Sequence, residues 1–105
     1  MGGQWTIFDQ MIDSWRREAE NLRQKVEKLR KDNKALNEEK EANVKMLGSA
    51  PWNEQAEINA DIRYCEQQIK ENEKEIEISL AKIQSLQKEI QEQKNLNNVW
   101  NKKVK

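Results

Sequence analysis

Apolar residues recur at alternating steps of three and four through nearly the whole of this sequence, and the pattern is interrupted once. From Trp5 the series runs Phe8, Ile12, Trp15, Ala19, Leu22, Val26, Leu29, Asn33, Leu36, Lys40, Asn43 and Leu47 without a slip. A second series follows residue 51. Ile62, Ile69, Ile76, Ile83 and Ile90 recur every seven residues, continued by Asn97 and Val104, and between them fall Ile58, Cys65, Asn72, Ser79, Leu86, Gln93 and Trp100. A strict repeat averaging 3.5 residues lays a narrow apolar seam along a helix and winds two such helices about each other in a left-handed sense. A strand would alternate every two residues instead.

The interruption is Leu47-Gly48-Ser49-Ala50-Pro51-Trp52, and no other Gly or Pro occurs after residue 3. Gly48 suits the left-handed residue that closes a helix, and Pro51 suits the first turn of the next, where its missing N–H matters least. The reading is a single domain over 1–105: helix 1 about 4–47, a turn at 48–51, and helix 2 about 51–104. Thr6 with Asp9 offers a cap slightly later than residue 4.

Folded back at this turn, the two seams meet in one register. Leu36–Ile62, Leu29–Ile69, Leu22–Ile76, Trp15–Ile83 and Phe8–Ile90 have residue numbers summing to 98, as do Ile12–Leu86, Ala19–Ser79, Val26–Asn72 and Asn33–Cys65. That sum is centred on residue 49, inside the break. Two independent features therefore agree on an all-α fold, two long helices in an antiparallel coiled-coil hairpin. The expected core is Phe8, Ile12, Trp15, Leu22, Val26, Leu29, Leu36, Ile62, Ile69, Ile76, Ile83, Leu86 and Ile90. Its large layers should carry most of the stability, at about 1.5–3 kcal/mol per buried large side chain. Thin layers such as Ala19–Ser79 and Asn33–Cys65 are expected weak points or points of close approach.

Composition narrows the function. Only 35% of residues are hydrophobic and 36% are charged, too little apolar material for a globular core of this length. Lys plus Arg equals Asp plus Glu at 19 each, which argues against a basic footprint for nucleic acid and against a cationic membrane binder. The absence of histidine removes imidazole zinc sites and His-based acid–base chemistry, and the single Cys65 has no partner for an internal disulfide. Cys65 reads as a small core residue. Runs such as Glu38-Glu39-Lys40-Glu41 read as solvated faces with i,i+4 pairs. No phosphate loop, nucleophile motif or metal-ligand spacing is present, so a non-enzyme without cofactor or metal is expected. No apolar run reaches the roughly 20 residues of a bilayer span, and no secretory signal is visible, so an intracellular, cytoplasmic chain is expected.

Lys25-Val26-Glu27-Lys28-Leu29, with Asn33 and Leu36, resembles about two heptads of a parallel dimeric leucine zipper. That resemblance implies a two-stranded pairing of helix 1 with a second copy. It does not extend to DNA, because the stretch upstream, Trp5 to Trp15, carries Asp9 and Asp13 where a basic helix would be needed. Two hairpins packing as a four-helix bundle, or a longer coiled coil, accommodate both patterns. Asn33 and Asn72 would then find partners across the dimer and specify the oligomer.

The termini carry the least regular chemistry. Trp5, Ile7, Met11, Leu96, Val99 and Trp100 gather aromatic, aliphatic and Met side chains of the kind enriched at interfaces, and form the candidate partner-binding surface. At the turn, Gly48, Pro51 and Trp52 are singled out; Trp52 is expected to pack locally on Leu47 or Met46. The expected function is structural: a scaffolding coiled coil mediating self-association and docking onto protein partners. Three alternatives stand beside it. The plan is similar to antiparallel finger domains that bind small GTPases of the Rho type, which implies a regulatory binding module. Length and the turn Trp are similar to small secreted WXG-type hairpins, although Trp52-Asn53-Glu54 lacks the Gly of that motif. Met1-Gly2-Gly3-Gln4-Trp5-Thr6 fits the N-myristoylation pattern, which implies a membrane-tethered adaptor.

Overall fold

The computed structural model describes the backbone of residues 7–104 and the side chains of residues 7–98. Two helices, α1 (Ile7–Leu47) and α2 (Trp52–Val104), contact each other as an all-α helical hairpin. Neither helix contains Gly or Pro, so nothing in the backbone interrupts 41 and 53 residues of helix. Their outer faces add local support. Asp13 pairs with Arg17 at 2.6 Å, Glu27 with Lys31 at 3.6 Å, and Gln67 Nε2 donates to Glu71 at 3.1 Å, all at i,i+4. Such pairs contribute about 0.2–0.5 kcal/mol each.

The turn falls where the sequence places it, but its chemistry differs. Gly48 does not adopt a left-handed conformation; no described glycine has a positive φ. Helix α1 instead ends in a tightened i→i+3 turn. Ser49 N–H donates to Met46 O at 3.1 Å, and Ser49 Oγ to the same oxygen at 3.4 Å. The serine thus satisfies the orphan carbonyl that a left-handed glycine was expected to serve. Pro51 stands just before α2 rather than inside it. Its carbonyl accepts from Glu54 N–H at 2.9 Å, so it acts as the cap residue. Residues 4–6, including the Thr6 cap, lie outside the described residues.

A Cβ built on Gly48 would meet Lys45 O at 3.5 Å, an ordinary contact. Gly48→Ala should therefore stabilise the chain by about 0.4–1 kcal/mol, chiefly by restricting the unfolded state. A thermal melt should show a midpoint raised by about 2–8 °C. A lowered midpoint would restore the left-handed reading.

The chain divides into two compact units: a terminal unit of residues 1–24 and 79–105, and a turn unit of residues 25–78. In the terminal unit the buried side chains are Ile12, Ala19, Ser79, Ile83 and Leu86; in the turn unit they are Val26, Ile58, Ile62 and Cys65. Every one is a seam position. Trp15, Leu22, Leu29, Leu36, Ile69, Ile76 and Ile90 are half-buried. Phe8 departs from the expected core at 40% exposed. It is the second residue of α1, with a described seam layer on one side only.

Of the thin layers, Ala19–Ser79 is closed as a point of close approach would be. Cys65 is fully buried and Ala19 and Ser79 are each 2% exposed; in the large layers Ile62 and Ile83 are buried, whereas Leu22, Leu29, Leu36, Ile69, Ile76 and Ile90 are half-buried. A two-helix pair covers its seam from one side, so long side chains extend past the partner into water. Small ones lie beneath it and are sealed.

The polar cross-helix contacts flank the seam or cross it diagonally. In the turn unit the cross-helix partners are Lys25–Glu75, Glu39–Cys65 and Asn33–Asn72, with residue numbers summing to 100, 104 and 105. In the terminal unit Glu18 meets Lys82 at 3.0 Å, again at 100. The pairs at 100 are the flanking contacts that a seam level at 98 places beside it, and Asn33–Asn72 lies one heptad, seven in the sum, from the level pair. Seam side chains enter holes between residues of the facing helix, so each has two neighbours and not one level partner. Asn33 takes the neighbour with matching chemistry: Asn72 Nδ2 donates to Asn33 Oδ1 at 2.9 Å. This bond runs diagonally to the expected Asn33–Cys65 layer. Within one chain the bond uses one donor and one acceptor, and Asn33 Nδ2 and Asn72 Oδ1 take no part in it.

Candidate interaction surfaces

Cys65 is the most enclosed side chain of the turn unit. Burial pushes its pKa up first; the charge of the Glu39 carboxylate, to which its S–H hydrogen-bonds, and the charge of Asp61 push it further. The thiolate is the nucleophile, so this is a thiol held in its inert form. Below the ordinary thiol pKa of about 8.5, folded and unfolded chains both keep the proton. Above it the unfolded chain releases the proton while the folded chain retains it, so stability falls by up to about 1.4 kcal/mol per pH unit until the folded pKa is reached. Urea midpoints followed from about pH 8 to 10 should show this loss. Cys65→Ala should flatten the slope, and an identical slope in the variant would exclude the thiol as its source.

Among the described residues no group of three or more His, Cys, Asp or Glu side chains could hold a metal ion. The described helices contain no stretch long and apolar enough to cross a membrane. The grooves along the helices are open and edged by charged and amide side chains, such as Gln10, Asp13 and Arg17 in the terminal unit.

What the surface does present is apolar. In the terminal unit Ile7 is 72% exposed and Leu96 58%, with Phe8, Met11 and Leu80 also exposed. Ile7 and Met11 are four residues apart on α1 and share one side of the helix. Trp5 lies outside the described residues, as do the side chains of Val99 and Trp100. The Oε1 of Gln93, a seam residue of this unit, is buried without a hydrogen-bond partner among the described residues.

In the turn unit Trp52 is 83% exposed. The expected packing on Leu47 or Met46 would cover the indole, and at this exposure neither residue does so. Val44, Tyr64 and Ile78 are exposed too. Seam reading overlooks Leu80, Val44, Tyr64 and Ile78 because it sorts residues into seam and non-seam. A scan of the non-seam positions for large apolar side chains finds all four.

Two ion pairs cross between the helices, Glu18–Lys82 in the terminal unit and Lys25–Glu75 at 2.6 Å in the turn unit. They occupy equivalent heptad positions beside the seam. All four side chains are about half exposed, so each pair contributes no more than about 1 kcal/mol and serves chiefly to disfavour wrong registers.

Compared with known proteins, the chain matches no family model, no curated protein and no solved structure.

Proposed function

We propose that this chain is a non-enzymatic helical hairpin that self-associates and docks onto other proteins through its uncovered apolar side chains. The observation that carries the reading is the balance within the terminal unit. Its exposed large apolar residues, Ile7, Phe8, Met11, Leu80 and Leu96, outnumber its buried ones, Ile12, Ile83 and Leu86. Soluble monomers tolerate scattered apolar side chains, but contiguous apolar surface marks interaction sites. Aromatic and Met side chains are the types enriched there.

Sedimentation equilibrium tests the reading. The wild-type chain at micromolar concentration should show a mass above 12.5 kDa. The triple variant Ile7→Ser, Met11→Ser, Leu96→Ser should return to that mass with its helical circular dichroism unchanged, because none of the three belongs to the buried seam. A wild-type monomer, or a variant that associates as before, would remove the proposal.

A further inference from the structure

Positive and negative charges are equal in number, 19 each, but they are not evenly placed. In the turn unit Lys25 on α1 pairs with Glu75 on α2. Seven and fourteen residues further along α1 stand Asp32 and Glu39, and the matching positions on α2, Gln68 and Asp61, supply no base. Among the described residues neither Asp32 nor Glu39 forms an ion pair. Both edge an open groove of about 360 Å³ whose lining includes Leu36 and the exposed Tyr64.

The terminal unit carries the opposite arrangement. Arg16 and Arg23, also seven residues apart on α1, edge a groove of about 510 Å³ lined by Ala19 and Ile90. Arg16 forms no ion pair among the described residues, and Arg23 makes only a 3.6 Å contact to Glu20. Seven residues of helix rise about 10.5 Å, so the two guanidinium groups and the two carboxylates are spaced alike. Each pair flanks apolar surface that water now covers. Arginine's planar fork is suited to carboxylates at such an interface.

We infer that the acidic groove of one copy receives the arginine edge of a second copy, with Arg16 and Arg23 set against Asp32 and Glu39. The inference rests on the self-association proposed above and names its charged contact. The two patches differ, so the contact is head-to-tail: one copy keeps its arginine edge and the other its acidic groove for a further neighbour.

Complementary charge reversals test it. The variant Arg16→Glu, Arg23→Glu keeps only the acidic patch, and the variant Asp32→Arg, Glu39→Arg keeps only the basic one. By fluorescence anisotropy of an N-terminally labelled variant, the two should bind each other at least about tenfold more tightly than either binds itself. That excess should fall about tenfold or more between about 0.05 and 0.5 M salt. Circular dichroism of each variant guards against unfolding. Equal affinities for like and unlike pairings, or an excess unaffected by salt, would overturn this inference while leaving apolar self-association standing. A wild-type chain that stays monomeric would instead remove both.

Discussion

Ile83→Ala should lower the free energy of unfolding by about 2–4 kcal/mol, the largest loss expected from any single truncation in the isoleucine column. Ile83 is 6% exposed and belongs to the sealed part of the terminal unit with Ala19, Ser79 and Leu86. Removing its branches takes apolar area out of the seam and leaves a space that flanking residues on a regular helix cannot close. Ile69 and Ile76 occupy equivalent heptad positions but are only half-buried, so their alanine variants should lose about half as much, in proportion to the area removed from water. Urea unfolding of the three variants would show the ranking. Equal losses would mean that the heptad position alone, and not the local seal, sets the energy.

The second large effect has the opposite chemistry. Ala19→Leu should destabilise by about 1–3 kcal/mol even though it adds apolar surface. If Ala19 and Ser79 were an underfilled layer, leucine would occupy a gap and raise stability. Both are 2% exposed, so neighbouring side chains cover them and a larger residue must displace those neighbours. Three added carbons would force the helices apart or push the side chain off its preferred rotamer. Chemical denaturation distinguishes the cases by sign.

Much of the fold was legible because heptad periodicity is redundant. Thirteen seam positions in the first helix and fourteen in the second repeat the same statement, and one Gly–Pro interruption locates the turn. Details that depend on a single residue were not. Gly48 reads as a left-handed cap from its identity, yet Ser49 closes the helix by a shorter hydrogen bond. The Asn33 and Asn72 amides read as unsatisfied only under the assumption that seam residues face level partners. Relaxing that assumption to two neighbours per side chain brings them together. The depth of burial was legible in part: Ile12, Val26, Ile62, Ile83 and Leu86 are buried as expected, whereas Leu22, Leu29, Leu36, Ile69 and Ile76 reach only half-burial, because a seam covered from one side leaves long side chains in contact with water.

The candidate surfaces were partly legible. Ile7, Met11 and Leu96 stand out as apolar residues off the seam, and they are exposed. The arginine and acidic patches escape a seam reading, because a charge beside a seam looks like an ordinary solubilising residue until its cross-helix neighbour is known. Lys25 finds Glu75, but Asp32 finds no base. Pairing across helices, not sequence neighbourhood, separates a neutralised charge from one available to a partner.

Everything above depends on the chain folding back upon itself. Lysine crosslinking on an equimolar mixture of ¹⁴N- and ¹⁵N-labelled chains tests this most directly. Lys34 of α1 and Lys70 of α2 should link within single chains, giving peptides of one isotope only. Links joining Lys28 or Lys34 of one isotope to the same α1 residues of the other, with no Lys34–Lys70 link inside a chain, would contradict the hairpin in favour of a parallel pairing of α1 between copies.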